Sequence, residues 1–182
     1  MKSKTDAEVD VCSLHAAHPL IRAKDWCSPL VLRLLSPDSY RDGSREMRDS
    51  FRSDGAEQPA DGSLNLRWKG LRQDCDQVGR TYQEPVITEF ATLGLACILV
   101  ENRANLEITE VTRRGEKADY WLGDKELLLE VSGQQSGDLE ALCLTKAQQL
   151  LENPFDKSGF VCVAIYEKKI ARLWFYSRED GD

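Results

Sequence analysis

Histidine is nearly absent from this chain: His15 and His18 are the only two in 182 residues. The six cysteines, Cys12, Cys27, Cys75, Cys97, Cys143 and Cys162, stand singly, and no CxxC occurs. Structural zinc sites are usually built from Cys or His pairs roughly two to four residues apart, so none is expected. The cysteines read instead as reduced, small apolar side chains. There is no GxxxxGK[ST] phosphate loop and no GxSxG elbow, which leaves P-loop NTPases and serine hydrolases without support. No run approaches the roughly 18 apolar residues of a membrane span. The opening stretch, MKSKTDAEVDVCSLHAAH, lacks the apolar core of a secretory signal. A cytoplasmic protein with no membrane contact is expected.

Positive charge is also in short supply. Lys and Arg number 24 against 31 Asp and Glu, a net charge of -7. The imbalance is local. Through Tyr82 there are 13 of each, and from Gln83 onward 11 against 18, so all the net acidity lies in the second part. A domain that held nucleic acid by bulk electrostatics would be basic overall. Clustered carboxylates awaiting a divalent cation are the other meaning of such an excess, and position has to decide.

The first part reads as an N-terminal segment, residues 1–82, with short strands, a polar loop and little order. The run Leu30-Val31-Leu32-Arg33-Leu34-Leu35 lies between Pro29 and Pro37 and predicts a short strand. Tyr40 to Ser63, rich in Gly, Ser and charge, predicts a mobile loop. Leu64 to Trp68 predicts a second strand, pairing with the first. Arg41, Arg45, Arg48 and Arg52 would share one face if helical, but they are interleaved with Asp42, Glu46 and Asp49. A partner-binding arm is one role for this segment, with a protein as its partner.

Residues 83–182 read more sharply. Val86, Phe90, Leu93, Cys97 and Val100 are spaced by four, three, four and three, an amphipathic helix with Pro85 in its first turn. Leu106 to Val111 predicts a strand. Ala118 to Leu122 and Leu127 to Val131 predict a hairpin about Gly123-Asp124. Asp138 caps a second helix that ends before Asn153-Pro154, and strands follow at Phe160 to Tyr166 and Ile170 to Tyr176. The fold class is α/β, with a mixed central sheet flanked by helices.

Three carboxylates stand at informative points of that order: Glu89 in the first helix, Asp119 early in the second strand and Glu130 near the end of the third. Adjacent hairpin strands can bring Asp119 and Glu130 together, with the helix leaning Glu89 over them. Packed like charges are costly unless a cation neutralises them. Hard oxygen ligands of this kind suit Mg²⁺ or Mn²⁺. Glu130 follows Leu127-Leu128-Leu129, so it ends a run that should be buried and needs a partner, a metal or solvent at a sheet edge. For each residue the structural alternative stands: a strand-end Glu130, an exposed hairpin Asp119, a solvated Glu89. Trp121, Trp174, Phe175 and Tyr176 either stack on bases or pack the sheet.

This arrangement resembles the PD-(D/E)XK nuclease superfamily, the core shared by many restriction, repair and resolution nucleases. Its motif sets an acid on the second strand and (D/E)-x-K on the third, often with a Glu in the first helix. The matches are Glu89, Asp119 and Glu130-Val131-Ser132, within residues 83 to 176. The resemblance implies a restriction-endonuclease-like core, a Mg²⁺ or Mn²⁺ ion held by Asp119, Glu130 and Glu89, and hydrolysis of DNA or RNA. The motif lysine falls on Ser132. In some members that role moves to the following helix, where Lys146 is the candidate: Leu142, Lys146 and Leu150 lie four apart on one face. Otherwise Lys146 is a snorkelling side chain at the edge of the apolar stripe. Gln134, Gln135 and Gln149 either touch a phosphate or face water. The alternative to an enzyme is a catalytically inactive nuclease-like module that binds nucleic acid or a protein. A Lys146 Nζ beside the Asp119 and Glu130 oxygens would favour the enzyme.

Overall fold

A computed structural model describes residues 5–35 and 42–178. Eight strands form one mixed sheet: β1 (Thr5–Asp10), β2 (Gly43–Arg52), β3 (Ala60–Trp68), β4 (Ile108–Val111), β5 (Tyr120–Leu122), β6 (Leu127–Gln134), β7 (Gly159–Ile165) and β8 (Ile170–Tyr176). Their spatial order is β1-β3-β2-β8-β7-β6-β5-β4. Among the described residues five α-helices accompany them: α1 (Leu14–Ala17), α2 (Cys27–Leu34), α3 (Arg72–Thr81), α4 (Glu84–Ala104) and α5 (Leu139–Leu151). The α/β class with helices flanking a mixed sheet is therefore present.

One face of the sheet is covered by α4, which packs against α2 and, through its first half, against β6; α5 covers the other face over β6, β7 and β8. The long α4 is buried almost continuously from Ile87 to Val100. Each fully buried Leu or Ile in such a layer contributes roughly 1.5–3 kcal/mol of transfer free energy. Gly94 admits α2 to this layer, since a Cβ there would stand only 3.0 Å from the Trp26 carbonyl oxygen. Asn105, at φ 54, ends α4 in the left-handed conformation, a common helix stop. All seven residues of β7 are buried because helices lie over both of its faces, whereas β8 alternates.

The meander β4–β5–β6 is antiparallel, and α5 then carries the chain over to β7, parallel to β6. These elements follow the order expected for residues 83–176, including the Asp138 cap, whose side chain accepts from the Ala141 N–H. Asp119, however, lies just before β5 rather than early within it, and Glu130 lies midway along β6 rather than near its end. The N-terminal segment differs from expectation. Leu30 to Leu35 is not a strand; Leu30 to Leu34 belong to α2, with Leu35 as its C-cap, because Cys27, Leu30, Val31 and Leu34 recur at helical spacing and are buried. Pro29 is tolerated in the first turn, where its missing N–H has no helical partner to lose. Pro37 lies outside the described residues.

Most of the stretch expected to be a mobile loop is β2 and the start of β3. Met47, Asp49 and Phe51 face the α4 side and Arg48, Ser50 and Arg52 the other, a period of two disguised by an inward-facing aspartate. Arg45 therefore does not share a face with Arg48 and Arg52, and no helical basic stripe forms; Tyr40 and Arg41 lie outside the described residues. Leu64 to Trp68 is a strand, as expected, but it pairs with β1 and β2. The 82/83 boundary falls between α3 and α4, and both sides share one sheet through the parallel β2–β8 pair. Among the described residues, no helix is long and apolar enough to cross a membrane.

Candidate functional site

Register brings the two strand carboxylates together. Trp121 pairs with Leu128 and Tyr120 with Leu129, so one step further along the antiparallel ladder Asp119 falls opposite Glu130. Opposed residues share a face, here the one covered by α5. Asp119 Oδ2 accepts from the Val131 N–H at 2.7 Å, which fixes its carboxyl against β6. From α5, Lys146 Nζ donates to Glu130 Oε1 at 2.6 Å and to Gln149 Oε1 at 3.2 Å.

The Glu130 side chain is 0% exposed and that of Lys146 is 22% exposed. Glu130 Oε2, also buried, has no hydrogen-bond partner. When both acids are ionised they can only accept hydrogen bonds, so the contact between them is repulsive until a proton or a cation enters. Burial, then the neighbouring Asp119, pushes the Glu130 carboxyl up to about 7, against the pull of Lys146. Burial also raises Asp119, opposed by the Val131 N–H and by Lys146. Tyr120 is pushed up to about 12 by burial and then by Asp119, so its hydroxyl keeps its proton.

A cavity of about 440 Å³ opens beside the pair, with Asp119, Tyr120, Ser132, Gly133 and Lys146 on one side and Pro85, Glu89 and Thr92 of α4 on the other. It exists because β6 runs on past the start of β5, leaving residues 131–134 without a neighbour on that edge. Gly133 sets the floor: a Cβ there would come within 1.9 Å of Thr92 Oγ1. A Cβ there would therefore displace the Thr92 hydroxyl from its place against Thr88 and Tyr166.

The structure thus brings Asp119, Glu130 and Lys146 into one cluster. Glu89 faces the same cavity from α4, exposed, but among the described residues no three His, Cys, Asp or Glu side chains gather as a metal-holding group. Ser132, at the motif-lysine position, lines the cavity and lies two residues beyond Glu130 on the strand. Gln134 and Gln135 accept backbone N–H groups from Tyr166 and Glu167 through their carbonyls and lie off the cavity. Trp121 and Phe175 are buried. Trp174 and Tyr176 stack with Arg52, whose guanidinium lies 4.8 and 4.9 Å from their ring centres.

Tyr120, Thr92 and Gly133 were not singled out by sequence reasoning. The signal for Gly133 was present in Glu130-Val131-Ser132-Gly133, a glycine inside a strand that marks a close backbone approach. The six cysteines form no disulfide, five of them being buried and Cys12 half-buried. No family model, curated protein or solved structure gives a significant match to this chain.

Proposed function

We propose that this chain is a metal-dependent nuclease that hydrolyses phosphodiester bonds of DNA or RNA on a restriction-endonuclease-like core. The observation that carries the reading is the 2.6 Å contact from Lys146 Nζ, on the helix after the acid-bearing strand, to Glu130 Oε1. That lysine reaches the acid that a lysine at position 132 would have flanked. The succession of α4, the antiparallel β4–β5–β6 meander, α5 and the parallel β7 supports the same core.

Asp119 and Glu130 fit a hard divalent ion: they are adjacent, oxygen-only, and Glu130 Oε2 is buried without a partner. They would hold Mg²⁺ or Mn²⁺, with Glu89 assisting from across the cavity. Such an ion, when bound, neutralises phosphate charge and lowers the pKa of a water. Lys146 holds Glu130 in place and, with Gln149 taking a second N–H, offers its one remaining N–H to a phosphoryl oxygen. Tyr120, kept protonated, adds a second donor, a neutral one, on the same wall.

The test is Mg²⁺- and Mn²⁺-dependent cleavage of a mixed DNA and RNA panel by the wild type, Glu130→Ala and Lys146→Met. Cleavage by the wild type that drops at least about a hundredfold in both variants supports the reading. No cleavage by the wild type, together with no metal binding by calorimetry, overturns it. The inactive module, favoured by Ser132 in the motif-lysine position, would then take its place, with the net charge of -7 tilting its partner toward protein.

A further inference from the structure

The acidity of the chain conceals a basic rim beside the carboxylate pair. The β4–β5 connection, Thr112 to Ala118, carries Arg113, Arg114 and Lys117 against the single acid Glu116, a local excess of two positive charges. It lines a groove of about 330 Å³ whose wall also includes Val111, Asp119 and Gln149. Val111 and Asp119 line the central cavity as well, so groove and cavity adjoin along these two residues.

The loop is shaped rather than loose. The Glu116 N–H donates to the Arg113 carbonyl at 3.1 Å, closing a four-residue turn, and Gly115 supplies its positive φ of 95. Glu116 turns inward, its carboxylate accepting the Arg113 N–H at 2.6 Å. The exposed cations are left facing solvent: among the described residues neither Arg113 nor Arg114 is in an ion pair, and Lys117 has only a 3.4 Å contact to the exposed Glu152. Gln149 spends its carbonyl oxygen on Lys146, which leaves its amide N–H₂ as a donor toward the groove.

We infer that this groove is the nucleic-acid backbone track of the protein, in which Arg113, Arg114 and Lys117 grip phosphates on one side of the bond presented to Asp119 and Glu130. The inference deepens the nuclease reading and rests on it for the identity of the polyanion. A polymer is favoured over a lone nucleotide because the cations lie in a second compartment, joined to the first but outside it. A strand passing through both would meet phosphate-binding cations in one and the carboxylates in the other.

Fluorescence anisotropy with fluorescein-labelled 20-mers of DNA and RNA, single-stranded and duplex, tests this in the full-length chain carrying Glu130→Gln, without divalent ions. Changing Arg113, Arg114 and Lys117 together to Gln should raise Kd at least about tenfold and flatten the salt dependence of binding by about two to three units of slope. Arg67→Gln, on β3 at the far side of the sheet, removes one exposed cation that is paired with Glu8 and should change neither. Equal affinity and slope in the triple variant, an equal effect of Arg67→Gln, no binding by any form, or a dinucleotide bound as tightly as the 20-mer would each overturn the inference. Cleavage separates the two readings. Binding that depends on the triple site without hydrolysis by the wild type defeats the nuclease and keeps the track. Hydrolysis with unchanged KM in the triple variant defeats the track and keeps the nuclease.

Discussion

Among the described residues, two ion pairs hold a buried carboxylate, and they are built differently. At the far end of α4, Arg103 meets Asp49 of β2 with side chains 4% and 1% exposed. The contact is two-pronged, Nε to Oδ2 at 2.8 Å and a terminal nitrogen to Oδ1 at 2.7 Å, with a further bond to the Ser63 carbonyl. Both aspartate oxygens are engaged. Across the sheet, Lys146 satisfies one oxygen of Glu130 and leaves the other bare, with a second carboxyl beside it. The first pair is complete and ties the N-terminal hairpin to the long helix. The second lacks one positive charge, which is what a structural pair avoids and a cation-binding site requires.

The largest expected effect falls on the complete pair. Asp49→Ala strands a guanidinium that does not release its proton, and urea unfolding should show a loss of about 3–5 kcal/mol. Replacing both partners with apolar residues, Asp49→Leu with Arg103→Met, should recover most of that loss. A single Asp49→Ala that unfolds like the wild type would erase the contrast.

The incomplete pair should answer in the opposite direction. Glu130→Gln keeps the shape, removes the repulsion with Asp119, and should raise stability at pH 8 by roughly 1–3 kcal/mol while abolishing metal-dependent cleavage. A destabilised Glu130→Gln would mean that the carboxylate is structurally required and the site is not strained.

The pH dependence sharpens this further. Glu130 sits at about 7 when folded against an ordinary 4.5, so the folded state holds a proton that the unfolded chain gives up. Stability should therefore be greatest below about pH 4.5 as far as this group is concerned. It should fall as pH rises through 7, and Asp119 is displaced in the same direction. Denaturation midpoints between pH 5 and pH 8 should decline in the wild type and flatten in Glu130→Gln. The smallest effect is that of the ion itself: millimolar Mn²⁺ at pH 8 should raise Tm by a few degrees in the wild type and not in Glu130→Gln. An equal shift in both would place the ion elsewhere.

The two regions also differed in how far they could be read in advance. Around Glu130 the signals were local: a carboxylate closing a leucine run, a lysine four residues from two leucines, an aspartate at the mouth of a hairpin. Only the register that sets Asp119 opposite Glu130 needed the fold. Around Asp49 nothing local helped. An aspartate occupies an inward strand position, and its partner lies 54 residues away, so the period of two that would have revealed β2 was broken by the residue that anchors it. The α2 helix was missed for a related reason: two prolines framed an apolar run too short for its spacing to outweigh them. The basic rim at Arg113, Arg114 and Lys117 vanished in an average, since net charge over the last hundred residues hides three cations in five positions.

The seam between β2 and β8 bears on the order in which the chain acquires its shape. The strand at Ile170–Tyr176 is inserted between one formed at residues 43–52 and its own neighbour at 159–165. Until it arrives, the N-terminal hairpin has an open edge along β2. Such distant pairing makes for slow closure, and a strand edge left bare in the meantime invites association with other chains. The same insertion ties the two ends together once made, so late assembly should be followed by unfolding as a single cooperative event.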